Sequence, residues 1–553
     1  MKESIVKHNM GNKIEIPVFP KRIIKTVGDV QGAENLLTET PLIVTFNAQN
    51  FAVMKKKTGE RTYLVLDFGK ELHGGVRLIV PTIQKKDMKP VRVRLTFGES
   101  VSEALAEVDK DSSTNDHSPR DFEVLLSHIS ALEFGQTGFR FLKIELLEDD
   151  TTVTLKAVAG ILRLQDVERK GYFQSNDALF DEIVETAIYT AQVNMQDGVV
   201  WDGIKRDRLV WCGDLNTELL TIAYAFGDLT NVKNSLRILK DSTPVTTWMN
   251  HISTYSAWFI VNLFDYYIYT GDIAFVKENL DYANQILADF DACISEDGVM
   301  DFGKTGKNKG MEFFLDWPSY ETPDAVIGTA ALLRYTMLKA EAASMDGIDY
   351  NCVGRIKEKL KKYGEEKATL KQTVAMQEVS GMKPIDALNR LEKDGAHGFT
   401  TFMSYFLLKA LAQVGSEKTL EMAKSYYGGM LSRGATTFWE DFDLDWLEGS
   451  GRIDEEPKAG EKDLHADYGN YCYKGLRHSF CHGWASGVVG YTFEEIVGIE
   501  VLSPGYKKVR ISPKLNGLKH FKATVPTPYG NIEVSADESG AKISVPTGVE
   551  LVK

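Results

Sequence analysis

Apolar and polar positions alternate at two different periods along this chain, and the change of period divides it. YLVLDFG (63–69), GVRLIVP (75–81), VRVRLTFG (91–98) and FRFLKIELL (139–147) are short β-branched or aromatic runs bounded by Gly, Pro or acidic clusters. Such runs are predicted strands, and in Val91 to Leu95 the alternation gives one buried and one wet face. The polar, acid-rich stretch from Ser100 to Arg120 is predicted to be a long loop. From Ser175 the period becomes helical: Leu179, Ile183, Val184, Ala187, Ile188 and Ala191 mark one face, with Ser175 or Asn176 as cap. Helical runs follow at 218–226, 232–239, 255–269, 274–294, 323–343, 353–362, 370–379, 384–391, 399–414, 420–431 and 481–499. About twelve helices joined by short polar links predict six helical hairpins closed into an (α/α)6 barrel, with no fixed-period repeat of the solenoid kind. After Pro504 the strand signal returns in KKVRISP, FKATVP, NIEVSA and KISVPT. The expected fold is therefore multidomain: an N-terminal β-sandwich over 1–170, a central all-α (α/α)6 barrel over 171–500 and a small C-terminal β-domain over 501–553.

Composition narrows the classes of partner. The formal charge of −14 argues against nucleic acid or an anionic membrane, both of which need a basic face. No run of eighteen apolar residues is present and the N-terminus lacks an apolar h-region. A cytoplasmic location is the expectation. Five widely spaced Cys without a CxxC predict free thiols rather than a disulfide framework or a zinc ribbon. The sequence is silent on oligomeric state.

Two stretches carry candidate chemistry. Trp201 to Glu218, WDGIKRDRLVWCGDLNTE, interleaves Asp202, Asp207 and Asp214 with Arg206, Arg208 and Trp211; TTFWEDFDLDW (436–446) sets Glu440 beside Trp439. All eight Trp fall between 201 and 484, which core packing alone does not require. Charged groups beside flat rings suit a sugar, whose hydroxyls need strong hydrogen-bond partners and whose C–H faces need a platform. Paired carboxylates flanked by Trp are what glycoside hydrolysis uses: one acid protonates the leaving oxygen, and one carboxylate activates water or attacks the sugar. Competing chemistries lack their signatures. His478 and His482 are spaced i, i+4, but no HExxH accompanies them. Asp441, Asp443 and Asp445 begin like a calcium loop, yet Trp446 stands where Gly is needed and Arg452 where the bidentate acid is needed. Neither a metal nor a cofactor is expected, and no nucleophile elbow, Walker or dinucleotide pattern occurs at a strand-to-helix turn.

The run from Asp202 to Asp214, followed by GATTFWEDF, SFCHGWASG and VLSPGYKKVRISP, resembles the α-L-rhamnosidases of glycoside hydrolase family 78, over roughly residues 60 to 530. The resemblance implies a six-hairpin barrel and an inverting mechanism on a rhamnose-containing carbohydrate. It places Asp207 as general acid and Glu440 as general base. Asp202, Arg206, Trp211, Asp214, Asp316, Trp317, Trp439, His482 and Trp484 become sugar-binding positions. The chain departs from the family's pattern at the acid, where Asp207 stands for the usual Glu, and at Val210 for the usual Gly. That departure keeps open a catalytically silent carbohydrate-binding barrel. Lys205, Arg206 and Arg208 keep open an α/α-barrel hydrolase of unsaturated or acidic sugars.

Overall fold

The computed structural model describes residues 12–45, 50–87, 89–308, 310–343 and 345–552. The N-terminal part is two packed sheets, one of seven strands and one of four, whose apolar faces meet around Leu64, Leu66, Val76, Leu78, Phe97 and Phe139. The two runs predicted as separate strands at 63–69 and 75–81 are one 19-residue strand, Thr62–Val80, bulged against Ser130–Leu146 between Asp67 and Leu72 and between Gly74 and Val76. A strand that long covers the sandwich by bending at its bulges, so Gly at 69, 74 and 75 marks bends rather than an end. The stretch predicted as loop from Ser100 opens with a short helix, Val101–Leu105, capped by the Ser100 hydroxyl. Residues 1–11 of the segment read as β-structure lie outside the described residues.

Helices follow from Ala178–Asn194 to Thr419–Ser432 where the 3.6 period places them, and most are buried along the face that period marks. The first is capped by Asp177, one or two residues beyond the expected caps. The last predicted helix differs most. Cys481 and His482 are extended, and helical turns begin only at Gly483, passing through 3-10, α and π geometry up to Ile496. Glycine is the reason, since a Cβ at Gly487 would lie 2.6 Å from Tyr405 Cβ and one at Gly490 3.0 Å from the same ring. This segment trades helical regularity for close approach to Ser404–Gln413.

A small β-domain ends the chain: the sheet His520–Thr527, Gly530–Asp537 and Gly540–Ser544 accepts Tyr172–Ser175 as its edge strand. The N-terminal sandwich is fastened to the barrel by a buried ion network. Arg140 holds Asp67 at 2.8 Å and donates to the Gly434 carbonyl at 2.8 Å, while Arg22 bridges Asp67 and Asp454. This joint keeps the sandwich loop that follows Leu105 against one mouth of the barrel. No helix among the described residues is long and apolar enough to cross a membrane.

Candidate active site

Three segments meet at that mouth: 202–209, 437–441 and 478–483. Asp202 closes the first on itself, its backbone N–H donating to the Leu209 carbonyl and its Oδ1 accepting from the Leu209 N–H at 2.9 Å. The other two run side by side, with Glu440 N–H on the Ser479 carbonyl at 3.0 Å and His482 N–H on the Phe438 carbonyl at 2.9 Å. Gly483 N–H then reaches the Asp202 carbonyl at 2.7 Å. Only glycine fits there, because a Cβ at 483 would sit 1.5 Å from Glu218 Oε1. The Glu440 carbonyl is pinned by the Thr401 hydroxyl and the Trp484 indole. The backbone that carries Glu440 and His482 is thereby rigid before any ligand arrives.

These segments line a cavity of about 190 Å³. Of the sequence-derived positions, Asp202, Asp207, Trp211, Asp214, Trp317, Glu440, His482 and Trp484 line it. Three do not. Trp439 is fully buried and stacked on Phe480 at 4.4 Å, a core residue rather than a sugar platform. Arg206 points its guanidinium at Glu440 and at Asp207 (3.4 Å), so it orders carboxylates from behind the wall. Asp316 is buried, accepting from the Trp317 N–H at 2.9 Å and the Thr400 hydroxyl at 2.6 Å. Lys205 and Arg208, basic residues close to Asp202 in sequence, take other partners. Lys205 goes instead to Glu99 and Glu103, both at 3.1 Å, and Arg208 lies over the Trp201 ring.

Six lining residues escaped the sequence reading: Ile252, Tyr255, Met311, Phe314, Cys472 and Tyr473. Phe314 lies in FFLDW beside Trp317 and was legible as part of that aromatic run. Tyr255 sits in Ser253–Thr270, a helix buried almost all round, and nothing local distinguishes it from core.

His482 is the electrostatic centre. Its Nε2 lies 3.6 Å from Asp202, 3.7 Å from Glu440 and 3.9 Å from Asp214. Burial would lower its pKa, but these carboxylates together hold it above the ordinary imidazole value. Burial pushes the Asp214 carboxyl up to about 7 against the pull of His482, and raises Asp202 as well. Glu440 goes the other way: burial raises it, yet Arg206, with His482, holds it below the usual carboxylate range. One carboxyl is thus shifted down beside others that burial shifts up, the separation that acid–base chemistry needs. Among the described residues, no Lys or Arg lines the cavity. His478, half of the i, i+4 pair, accepts from the Asp441 N–H.

Two measurements probe this wall. Burial pushes Asp316 up to about 7 from an ordinary 3.8, so it is neutral in the fold where it is ionised in the unfolded chain. Its neutral form stabilises the protein most below about pH 4, and that contribution is lost as pH rises to about 7. Asp316→Asn is therefore expected to remove up to about 4 kcal/mol of the wild-type fall in unfolding free energy across that window. Urea unfolding at both ends of the window checks it, and parallel curves for the two proteins would refute it. Cys472 is the one exposed thiol of the five and lines the cavity. Iodoacetamide is expected to block it and stop ligand entry, with saturating sugar protecting and Cys472→Ser immune. Burial, then the Glu440 charge, push this thiol up, so the labelling rate should keep climbing above the ordinary thiol range of about pH 8.5.

A helical barrel with convergent carboxylates and aromatic side chains at one mouth, carried between two β-domains, is the architecture of the six-hairpin class. Family comparisons agree along the chain. Residues 21–158 match the glycosyl hydrolase family 78 alpha-rhamnosidase N-terminal domain, 168–379 the bacterial alpha-L-rhamnosidase 6 hairpin glycosidase domain, and 498–551 the bacterial alpha-L-rhamnosidase C-terminal domain. The chain belongs to glycoside hydrolase family 78. Among curated relatives, an alpha-L-rhamnosidase of Alteromonas sp. is 22% identical, over 91% of this chain and 57% of its own length. One from Formosa agariphila is also 22% identical, over 73% and 45% respectively. The chain thus spans about half the length of the curated relatives it matches. Its fold is that of the rhamnosidase of Bacillus sp. GL1 (TM-score 0.72, 19% identity, 94% of this chain and 55% of that one). The Klebsiella oxytoca rhamnosidase with rhamnose bound is also similar (TM-score 0.66, 17% identity, 88% and 96%). Glu440 and His482 lie between the matched segments, so their assignment rests on the geometry above.

Proposed function

We propose that this protein is an inverting α-L-rhamnosidase, with Glu440 as general base and Asp207 as general acid. The observation that carries the reading is the single Arg206 guanidinium set between those two carboxylates. An inverting pair needs its carboxyls roughly 6.5–9.5 Å apart to admit the attacking water. Arg206 keeps Glu440 ionised and ready to accept a proton. Asp207, half-buried at the mouth, stands where a leaving group departs.

The lining supports the sugar class. Asp202, Asp214 and His482 offer partners for ring hydroxyls, while Ile252, Met311 and Phe314 make an apolar patch suited to the methyl of a 6-deoxyhexose. Among the described lining residues, Asp202, Asp214 and Glu440 outnumber the single basic group, His482, which disfavours the carboxylate of an unsaturated or acidic sugar. One observation favours a second reading, a catalytically silent sugar-binding barrel: the short Asp207 must reach a leaving oxygen usually served by Glu. A panel of aryl glycosides, α-L-rhamnoside first, decides between them. Hydrolysis with NMR showing the inverted anomer first is expected; retention would overturn the mechanism. Rhamnose binding without turnover of any glycoside would establish the silent reading.

A further inference from the structure

The polar segment after Leu105 belongs to the N-terminal domain, yet it reaches the catalytic wall. Asp109, Asp111, Ser112 and His117 all have positive φ, between 48° and 68°, a concentration of left-handed non-glycine backbone that a plain connector does not need. The segment is held down at several points. Leu476 N–H donates to the Asp111 carbonyl (2.9 Å), the Ser118 hydroxyl donates to the Lys205 carbonyl (3.0 Å), and Arg477 Nε donates to Asp116 Oδ2 (3.0 Å). This docking places His117 Nε2 3.5 Å from Asp207 Oδ1, with Asp116 Oδ2 at 3.4 Å and Arg477 Nη2 at 3.4 Å. The His117 side chain remains 26% exposed, so one imidazole touches both solvent and Asp207. Arg206 also contacts Asp207, and the Asp202 carboxyl and Cys472 thiol lie within its electrostatic reach.

We propose that the N-terminal domain completes the active site through His117, which positions Asp207 and returns a proton to it from solvent after each turnover. The inference rests on the reading of Asp207 as general acid. The balance is direct. Asp207 gives its proton to the glycosidic oxygen, which leaves with the bonding electron pair, while water adds to the anomeric carbon and loses a proton to Glu440. Glu440 then releases that proton to solvent, and Asp207 stays a carboxylate until it is reloaded. His117 is the group in contact able to bind a solvent proton and pass it on, whereas the guanidinium of Arg206 keeps its protons. A shorter acid with its own reloading partner is also an acid held in place at the reach it has.

The test uses the full chain with His117→Ala and His117→Gln, on methyl and 4-nitrophenyl α-L-rhamnosides across pH. Both variants are expected to lose about tenfold or more in kcat on the methyl glycoside, most strongly at the alkaline end, with KM within about twofold and the nitrophenyl substrate spared. Imidazole in the buffer should restore His117→Ala and leave His117→Gln slow. Glutamine keeps the size and a hydrogen bond, so wild-type rate and pH profile in His117→Gln would reduce His117 to packing and overturn the proposal. Equal losses on both substrates, unmoved by imidazole, would overturn it as well. Asp207→Asn run in parallel separates the two levels. If it discriminates between the leaving groups while the His117 variants do not, the relay alone falls; if it does not discriminate, the reading of Asp207 falls and takes the relay with it.

Discussion

Glu440→Gln is expected to abolish measurable turnover, a loss of about 10²–10⁴ in kcat, while sugar binding stays within a few-fold of wild type. The carboxylate is buried, accepts from Arg206 through Oε1 and from the Ser479 N–H at 3.2 Å through Oε2, and is held ionised by that guanidinium. An amide has the same outline but takes no proton from water. It also turns its NH2 toward one of two donors, so a modest fall in melting temperature should accompany the lost activity. The backbone of residue 440 is fixed by Thr401, Trp484 and Ser479 and not by the side chain, which is why the cavity should survive the change. Calorimetric titration with rhamnose alongside steady-state rates checks both halves. Hydrolysis near the wild-type rate would remove Glu440 as the base.

Asp207→Asn is expected to cost about 10²–10⁴ on glycosides with poor leaving groups and less than about tenfold on those of acidic phenols, which depart without a proton. The dependence on the leaving group, more than the size of the loss, identifies an acid. Asp207→Glu restores the reach usual in the family and should hold or raise the rate, since a misplacement of about one bond length can cost about 10²-fold. Equal losses on both kinds of substrate would make Asp207 a sugar ligand. The acid would then be sought at Asp214, which is buried beside His482 and pushed up to about 7.

Residue 440 and its neighbour show where local reading stops. Both were picked out of TTFWEDF because an acid beside rings is costly to bury without a task. The chain bends at Glu440, which enters the cavity, while Trp439 enters the core against Phe480. The same divergence separates Lys205, Arg206 and Asp207. The first is drawn to Glu99 and Glu103, the second to Glu440, and the third to the mouth.

What the sequence determined by itself was whatever repeats over a few residues. The 3.6-residue period set the helices and their number, hence an all-α barrel between two β-rich ends, and the clustering of acids with Trp marked the stretches that became the site. Tertiary structure alone decided which members of those stretches share a cavity. It also decided that His482 sits among three carboxylates, that Glu440 is kept ionised, and that His117 crosses from another domain. Contacts between residues more than two hundred positions apart leave no local period. They follow from how buried faces are matched and how buried charges find partners, which only the assembled fold resolves.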